Sequence, residues 1–214
     1  RGAAELAGLG FAHPVRAALG AALLLVAQTH AATLYVAVNG GHAAPYDTWA
    51  HAATSIQTAV DAAVAGDTIW VSNGTYVVSG QGAVVRVPKS VELRSVNGPA
   101  VTVLDARGTN GLRCLENTNA AANPQIAGFT LKRGNRSLSI YDMGGGLYLL
   151  NGTVSNCWIL ENYTLAKGGG VYLGGGALVD CYLASNRATE WQYGHGGAVY
   201  MTNGLVARCR FVTN

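Results

Sequence analysis

The chain has 214 residues, 50% of them hydrophobic and only 12% charged, with 29 glycines and a formal net charge of +3. So small a positive excess, with no run of Lys or Arg, argues against nucleic acid or acidic lipid as a partner. Few charges and abundant glycine suit a stacked core whose turns need permissive backbone.

From the N-terminus, residues 1–32 read as a secretory signal. His13 and Arg16 precede an apolar core at 17–27, followed by polar residues and by Ala31 and Ala32, where cleavage is expected. That core is too short to span a bilayer, so no membrane span is expected and the protein is placed outside the cell or on its surface. Residues 33–66 form an N-terminal cap: a short strand at 33–40, a polar loop at 41–54, and an amphipathic helix at 55–66. Ser55 is its N-cap and Gly66 its stop, and Ile56, Ala59, Val60, Ala63 and Val64 share one face suited to covering an open coil. Coils are expected over 67–214. The runs 84–87, 91–93 and 101–104 alternate as strands do, and 126–131 aligns with 154–159, placing Phe129 where Cys157 comes later.

The last third spells out a repeat. GGGLYLLNGTVSNCWILEN, GGGVYLGGGALVDCYLASN and GGAVYMTNGLVARCRFVTN begin at Gly144, Gly168 and Gly196. Tyr148, Tyr172 and Tyr200 are spaced by 24 and then 28 residues, and the same intervals separate Gly152, Gly176 and Gly204. Cys157, Cys181 and Cys209 keep that step, and so do Asn162, Asn186 and Asn214. Columns that keep step mean a repeat architecture. Short β-rich runs between Gly, Asn and Asp exclude helical solenoids, and the Leu-and-Asn signature of a leucine-rich repeat is missing. The remaining solution is an all-β fold, a parallel β-helix with stacked coils about 4.8 Å apart. Like residues then stack, and the asparagines form an amide ladder at a turn. The chain stops at the close of a unit without a polar cap, so it is expected to be a piece of a longer protein, as a monomer.

Four cysteines in an exported chain suggest disulfides. Three that recur once per coil, however, point the same way at strand spacing, whereas a disulfide needs Cβ atoms about 3.8 Å apart and converging. Cys157, Cys181 and Cys209 are therefore read as buried free thiols, with Cys114 left open. No CxxC spacing is present, so neither metal nor cofactor is expected.

If Cys157 and Ile159 face inward, Trp158 faces outward, with Tyr182 and Arg210 at matching positions. Such a column could stack on sugar rings. Loops entering each Gly triplet, at 136–143, 163–167 and 187–195, fall on one side. They could gather Tyr141, Asp142, Lys167, Glu190, Trp191, Tyr193 and His195 into a saccharide site. The repeats hold few acids (Asp142, Glu161, Asp180 and Glu190) and no acidic pair of the kind a lyase or glycoside hydrolase needs. Sequons at Asn73, Asn135, Asn151 and Asn162 read as turn chemistry.

The capping helix, GDTIWVSNGTY, VELRSVNGPAVTVLDARG, IAGFTLKRGN and the Gly-Gly-Gly units together resemble secreted right-handed parallel β-helix proteins of the pectate-lyase-like superfamily, in its uncharacterised bacterial branch. GGAV (196–199) with FVTN (211–214) is similar to the GGA[ILV] and FxxN repeats of polymorphic outer-membrane proteins. The resemblance covers 33–214 and implies a right-handed coil with a helical cap. Because that fold hosts many activities, three functions follow as expectations. The first is a surface or extracellular scaffold for adhesion or binding, with polysaccharide or cell-surface glycan as partner. The others are a polysaccharide lyase or glycoside hydrolase, and a structural passenger without a specific ligand.

Overall fold

The computed structural model describes residues 31–78, 82–189 and 194–214. The expected signal segment, apart from Ala31 and Ala32, lies outside the described residues. From Ala31 onward the chain winds as a parallel β-helix, with stacked strands on three sides.

The first sheet has seven strands: Thr33–Val36, Thr68–Val71, Glu92–Ser95, Gln125–Ala127, Thr153–Ser155, Ala177–Val179 and Leu205–Ala207. The second has six: Gly74–Tyr76, Thr102–Asp105, Thr130–Lys132, Trp158–Leu160, Tyr182–Ala184 and Arg210–Val212. The third has five: Gly82–Arg86, Leu112–Asn117, Leu147–Leu149, Val171–Leu173 and Val199–Met201. A short fourth ladder, Asn135–Arg136, Tyr163–Thr164 and Arg187–Ala188, bridges the second and third sides. Every pairing is parallel and in register, so inward side chains stack in files. Ile69, Leu93, Ile126, Val154 and Leu178 form one file, and Tyr76, Leu104, Leu131, Ile159 and Leu183 another. These side chains are buried, and alternation along each strand is what puts them there.

Corners follow from single residues in the left-handed region. Gly128, Asn156, Asp180 and Arg208, all at positive φ, turn the chain from the first side to the second. Arg133, Glu161, Ser185 and Thr213 do the same at the next corner. Phe129 stacks ahead of Cys157 as the alignment has it: its N–H points at the Cys157 Sγ, 3.4 Å away.

The capping helix is shorter than the sequence suggests. It spans Ile56–Ala62, with Ser55 as N-cap accepting the Thr58 N–H, but it ends at Ala63 rather than Gly66. Two groups from outside explain the early stop. The Lys89 ammonium donates to the carbonyls of Val60, Asp61 and Ala63 at 2.9, 2.8 and 2.7 Å. The Asp67 carboxylate accepts the Val64 N–H at 2.8 Å. With the last turn satisfied this way, no further helix is needed, and Val64 swings out to solvent. Ile56, Ala59, Val60 and Ala63 remain buried over the core. The stack itself starts ahead of the helix, because Thr33–Val36 pairs with Thr68–Val71. Among the described residues no helix is long and apolar enough to cross a membrane.

Candidate functional site

The asparagine column sets the geometry of the repeat side. Asn162, Asn186 and Asn214 follow the second corner, and each side-chain oxygen accepts from the coil before it. Asn186 Oδ1 takes the backbone N–H of Asn162 at 3.1 Å and its side-chain amide at 2.9 Å. Asn214 Oδ1 does the same for Asn186 at 3.1 and 2.7 Å. The amides also donate to the carbonyls of Leu131, Ile159 and Leu183. Asn162 Oδ1 finishes the ladder on Gly134 N–H, and the Cys114 thiol, 3.5 Å away, closes the same end. Cys114 also donates to the Lys132 carbonyl, and burial pushes its pKa up to about 12.

The glycine triplets exist to make room for this ladder. A Cβ on Gly170 would lie 2.9 Å from Asn186 Cγ and 2.6 Å from the Ala198 carbonyl oxygen. With the backbone pressed against the amides, the chain enters the third sheet in one fixed position. Tyr148, Tyr172 and Tyr200 therefore stand in register on its outer face.

Their rings stack. Tyr148 and Tyr172 have centroids 4.8 Å apart and 12° between planes; Tyr172 and Tyr200 are at 5.9 Å and 15°. Stacked faces cover one another, so the ladder offers edges and a row of phenol hydroxyls. Both ends carry cations. The Arg113 guanidinium lies 4.9 Å from the Tyr148 centroid, and Lys167 Nζ lies 4.8 Å from that of Tyr200. The His195 ring stands 6.4 Å from Tyr200. Burial, then the neighbouring Tyr172, raises the Tyr148 pKa, so its phenol keeps its proton.

The structure brings together part of the loop cluster. Met143, Lys167 and His195 bridge one another in successive coils, which delivers Lys167 and His195 to the tyrosine ladder. Asp142 is otherwise engaged: its carboxylate accepts from Arg136 Nη2 at 2.9 Å and from the N–H groups of Leu138 and Ser139. It shapes the loop rather than facing a ligand. Tyr141 sits exposed on that loop. Glu190, Trp191 and Tyr193 lie outside the described residues.

Trp158, Tyr182 and Arg210 form an outward file on the second sheet, with the Arg210 guanidinium 5.8 Å from the Tyr182 centroid. Trp158 is 39% exposed. This file and the tyrosine ladder occupy different sheets. Inside the corner, Cys157, Cys181 and Cys209 stand one above another as free thiols, with the Cys181 N–H 3.5 Å from Cys209 Sγ. Hydrogen bonding to Cys157, then burial, raises the Cys181 pKa, which keeps that thiol protonated and unreactive. Among the described residues no group of three or more His, Cys, Asp or Glu could hold a metal ion.

Sequence reasoning marked the three tyrosines as repeat landmarks and missed them as a surface. The signal was available: Tyr148 and Tyr172 are flanked on both sides by buried Leu or Val and must point outward, and Tyr200 follows by register. Arg113 was missed for another reason, since 112–117 lacks the Gly triplet that identifies the later strands.

No family model matches the chain, and neither the curated proteins nor the solved structures yield a match.

Proposed function

We propose that this chain is an exported scaffold, secreted or held at the cell surface, that binds polysaccharide or cell-surface glycan along its tyrosine ladder. The observation that carries the reading is the ladder itself: three parallel phenol rings at coil spacing, with Lys167 and His195 at one end and Arg113 at the other. A linear glycan lying along the axis would exchange its water hydrogen bonds for phenol hydroxyls, with cations at each end to accept polar or acidic substituents. The supporting sheet is pinned by the asparagine ladder, so little ordering cost is left for binding.

Binding is preferred to catalysis because, among the described residues, the carboxylates on this side are committed elsewhere. Asp142 holds its loop, and Glu116, beside Tyr148, accepts from Arg86 Nε at 2.7 Å. Export rests on the composition of 1–32.

A glycan array tests the proposal. Retention is expected for the wild type, with a loss of about tenfold or more in Tyr172→Leu, since one missing phenol interrupts the row. Trp158→Ala, on the other sheet, should keep retention. No retention by the wild type would sink the reading, and loss in Trp158→Ala with Tyr172→Leu unaffected would move the site to the second sheet. Release of unsaturated or reducing sugar from the retained glycan would replace binding with turnover.

A further inference from the structure

Arg113 is the anomaly of the described surface. Its side chain is only 8% exposed, yet none of its N–H donors makes a hydrogen bond among the described residues. Its neighbours are the Tyr148 ring and Glu116, whose Oε2 stands 3.5 Å from Arg113 Nε. The other oxygen of Glu116, Oε1, accepts from Arg86 Nε at 2.7 Å, which leaves Oε2 as the one carboxylate oxygen near Arg113, at ion-pair rather than hydrogen-bond geometry. Arg136 nearby uses its terminal nitrogens on Asp142 and on the Gly111 carbonyl, while its Nε too is enclosed without a partner. Three guanidiniums thus share two carboxylates. Buried polar groups are nearly always satisfied, and a guanidinium more than most demands acceptors. The Arg113 Nε is fully enclosed, while its terminal nitrogens are not among the enclosed unpaired atoms and are the donors left for an incoming group.

We propose that Arg113 is the receptor for an oxyanion, the carboxylate or sulfate of an acidic glycan, entering at the Tyr148 end of the ladder. The planar fork of the guanidinium matches such a group bidentately, and the Tyr148 ring behind it fixes the plane of the fork. The tight position of Arg113 makes the site selective by shape: an oxyanion reaches the terminal nitrogens, whereas a bulky cation or an apolar group gains nothing there. The origin of the anion on a glycan rests on the ladder reading above; the anion site itself does not.

The test is a titration followed at the Arg113 Nε–H resonance, assigned by its loss in Arg113→Lys. Ligands are sodium sulfate, glucuronate and a chondroitin sulfate oligosaccharide, against sodium chloride at matched ionic strength. A saturable shift with sulfate or glucuronate is expected in the wild type, and affinities measured for both proteins by isothermal titration calorimetry should fall about tenfold or more in Arg113→Lys, which keeps the charge and loses the fork. The wild-type titration stands even if a variant fails to fold. No saturable shift with any of these anions, or equal affinity in Arg113→Lys, overturns the proposal. Retention of the oligosaccharide on the ladder without movement at Arg113 also overturns it and leaves the glycan reading intact. Sulfate binding at Arg113 without oligosaccharide retention supports the anion site and removes the glycan.

Discussion

The coils before Glu116 and those after Gly144 share the same sheets and the same register, yet they are held together differently. In the early coils every layer has its own solution. Asp67, buried, takes the N–H groups of Ala32 and Val64; Lys89 gathers three helix carbonyls; Asp105 pairs with Arg133; Ser95 Oγ bonds Thr102 Oγ1. In the late coils one solution is repeated. Tyrosine lies on tyrosine, cysteine on cysteine and asparagine on asparagine. The difference separates two requirements. Alternation and a left-handed corner suffice to make a coil; like-on-like stacking is an added device that couples one coil to the next.

Breaking that coupling should give the largest effect. Asn186→Ala removes the acceptor of two Asn162 donors and the donor to the Ile159 carbonyl, and it interrupts the only polar column in this part of the core among the described residues. A loss of about 3 kcal/mol is expected from urea unfolding, because several buried groups are left unpaired at once. A cycle with Asn162→Ala should be non-additive by roughly 1 kcal/mol, since the two amides share a bond. Additive losses would mean that the column is a set of separate turns. In the early coils, Asp67→Ala strands only the N–H groups of Ala32 and Val64, and about 2 kcal/mol is expected. Its effect should also be local, with amide exchange accelerated in the cap and unchanged at Asn186.

The same division explains what could be read from the sequence. Identical columns announce themselves, so the coil, the file of free thiols and the amide column were accessible from spacing alone, although Cys209, expected buried, is only half-buried in the last described coil. Heterogeneous layers gave only alternation. The helix end was misjudged because Gly66 is a local signal, while the real terminators are Lys89 and Asp67, whose role depends on a coil packed across from them. Arg113 was invisible for the same reason: Glu116 is local to it, but Arg136 and Tyr148 reach it only after the chain has wound. Burial lowers its pKa to about 10, and Glu116 opposes that, so it stays charged at neutral pH. A spacing rule sees neighbours of the same kind, not a cation short of acceptors.

Acid should sharpen the contrast more gently. Burial works to raise the Asp105 carboxyl, but hydrogen bonds from Arg133 and from the Arg107 N–H outweigh it and hold its pKa below the usual carboxylate range. A depressed carboxyl stabilises fully above its unfolded value, about 3.9, and that contribution is lost as pH falls through the lower folded value. The stacked columns of the late coils are neutral amides, thiols and phenols, which do not titrate there, and their Asp180–Arg208 pair is exposed and contributes little. Urea midpoints measured from about pH 5 down to about pH 2 should therefore fall less steeply in Asp105→Asn than in the wild type. Equal slopes would show that the Asp105–Arg133 pair contributes nothing to the acid side.

The smallest effect concerns the corners, the feature common to both regions. Ser185 sits at φ +56, exposed, with its N–H bonded to the carbonyls of Val212 and Thr213. A left-handed residue other than Gly costs roughly 1–2 kcal/mol, less for Asn, whose short polar side chain tolerates that region. Glycine would relieve the strain but adds freedom to the unfolded chain. Asn156, which fills the preceding corner of the coil before it at φ +48, shows that the fold already uses asparagine in this conformation. Ser185→Asn should stabilise by about 0.5 kcal/mol, visible as a small rise in the urea midpoint with unchanged slope. A comparable gain from Asn at an extended, exposed site such as Thr75 would attribute the effect to composition rather than to the corner. If Ser185→Asn is neutral, the corner is set by the two carbonyls that its N–H reaches, and the left-handed conformation costs this fold nothing that a side chain could recover.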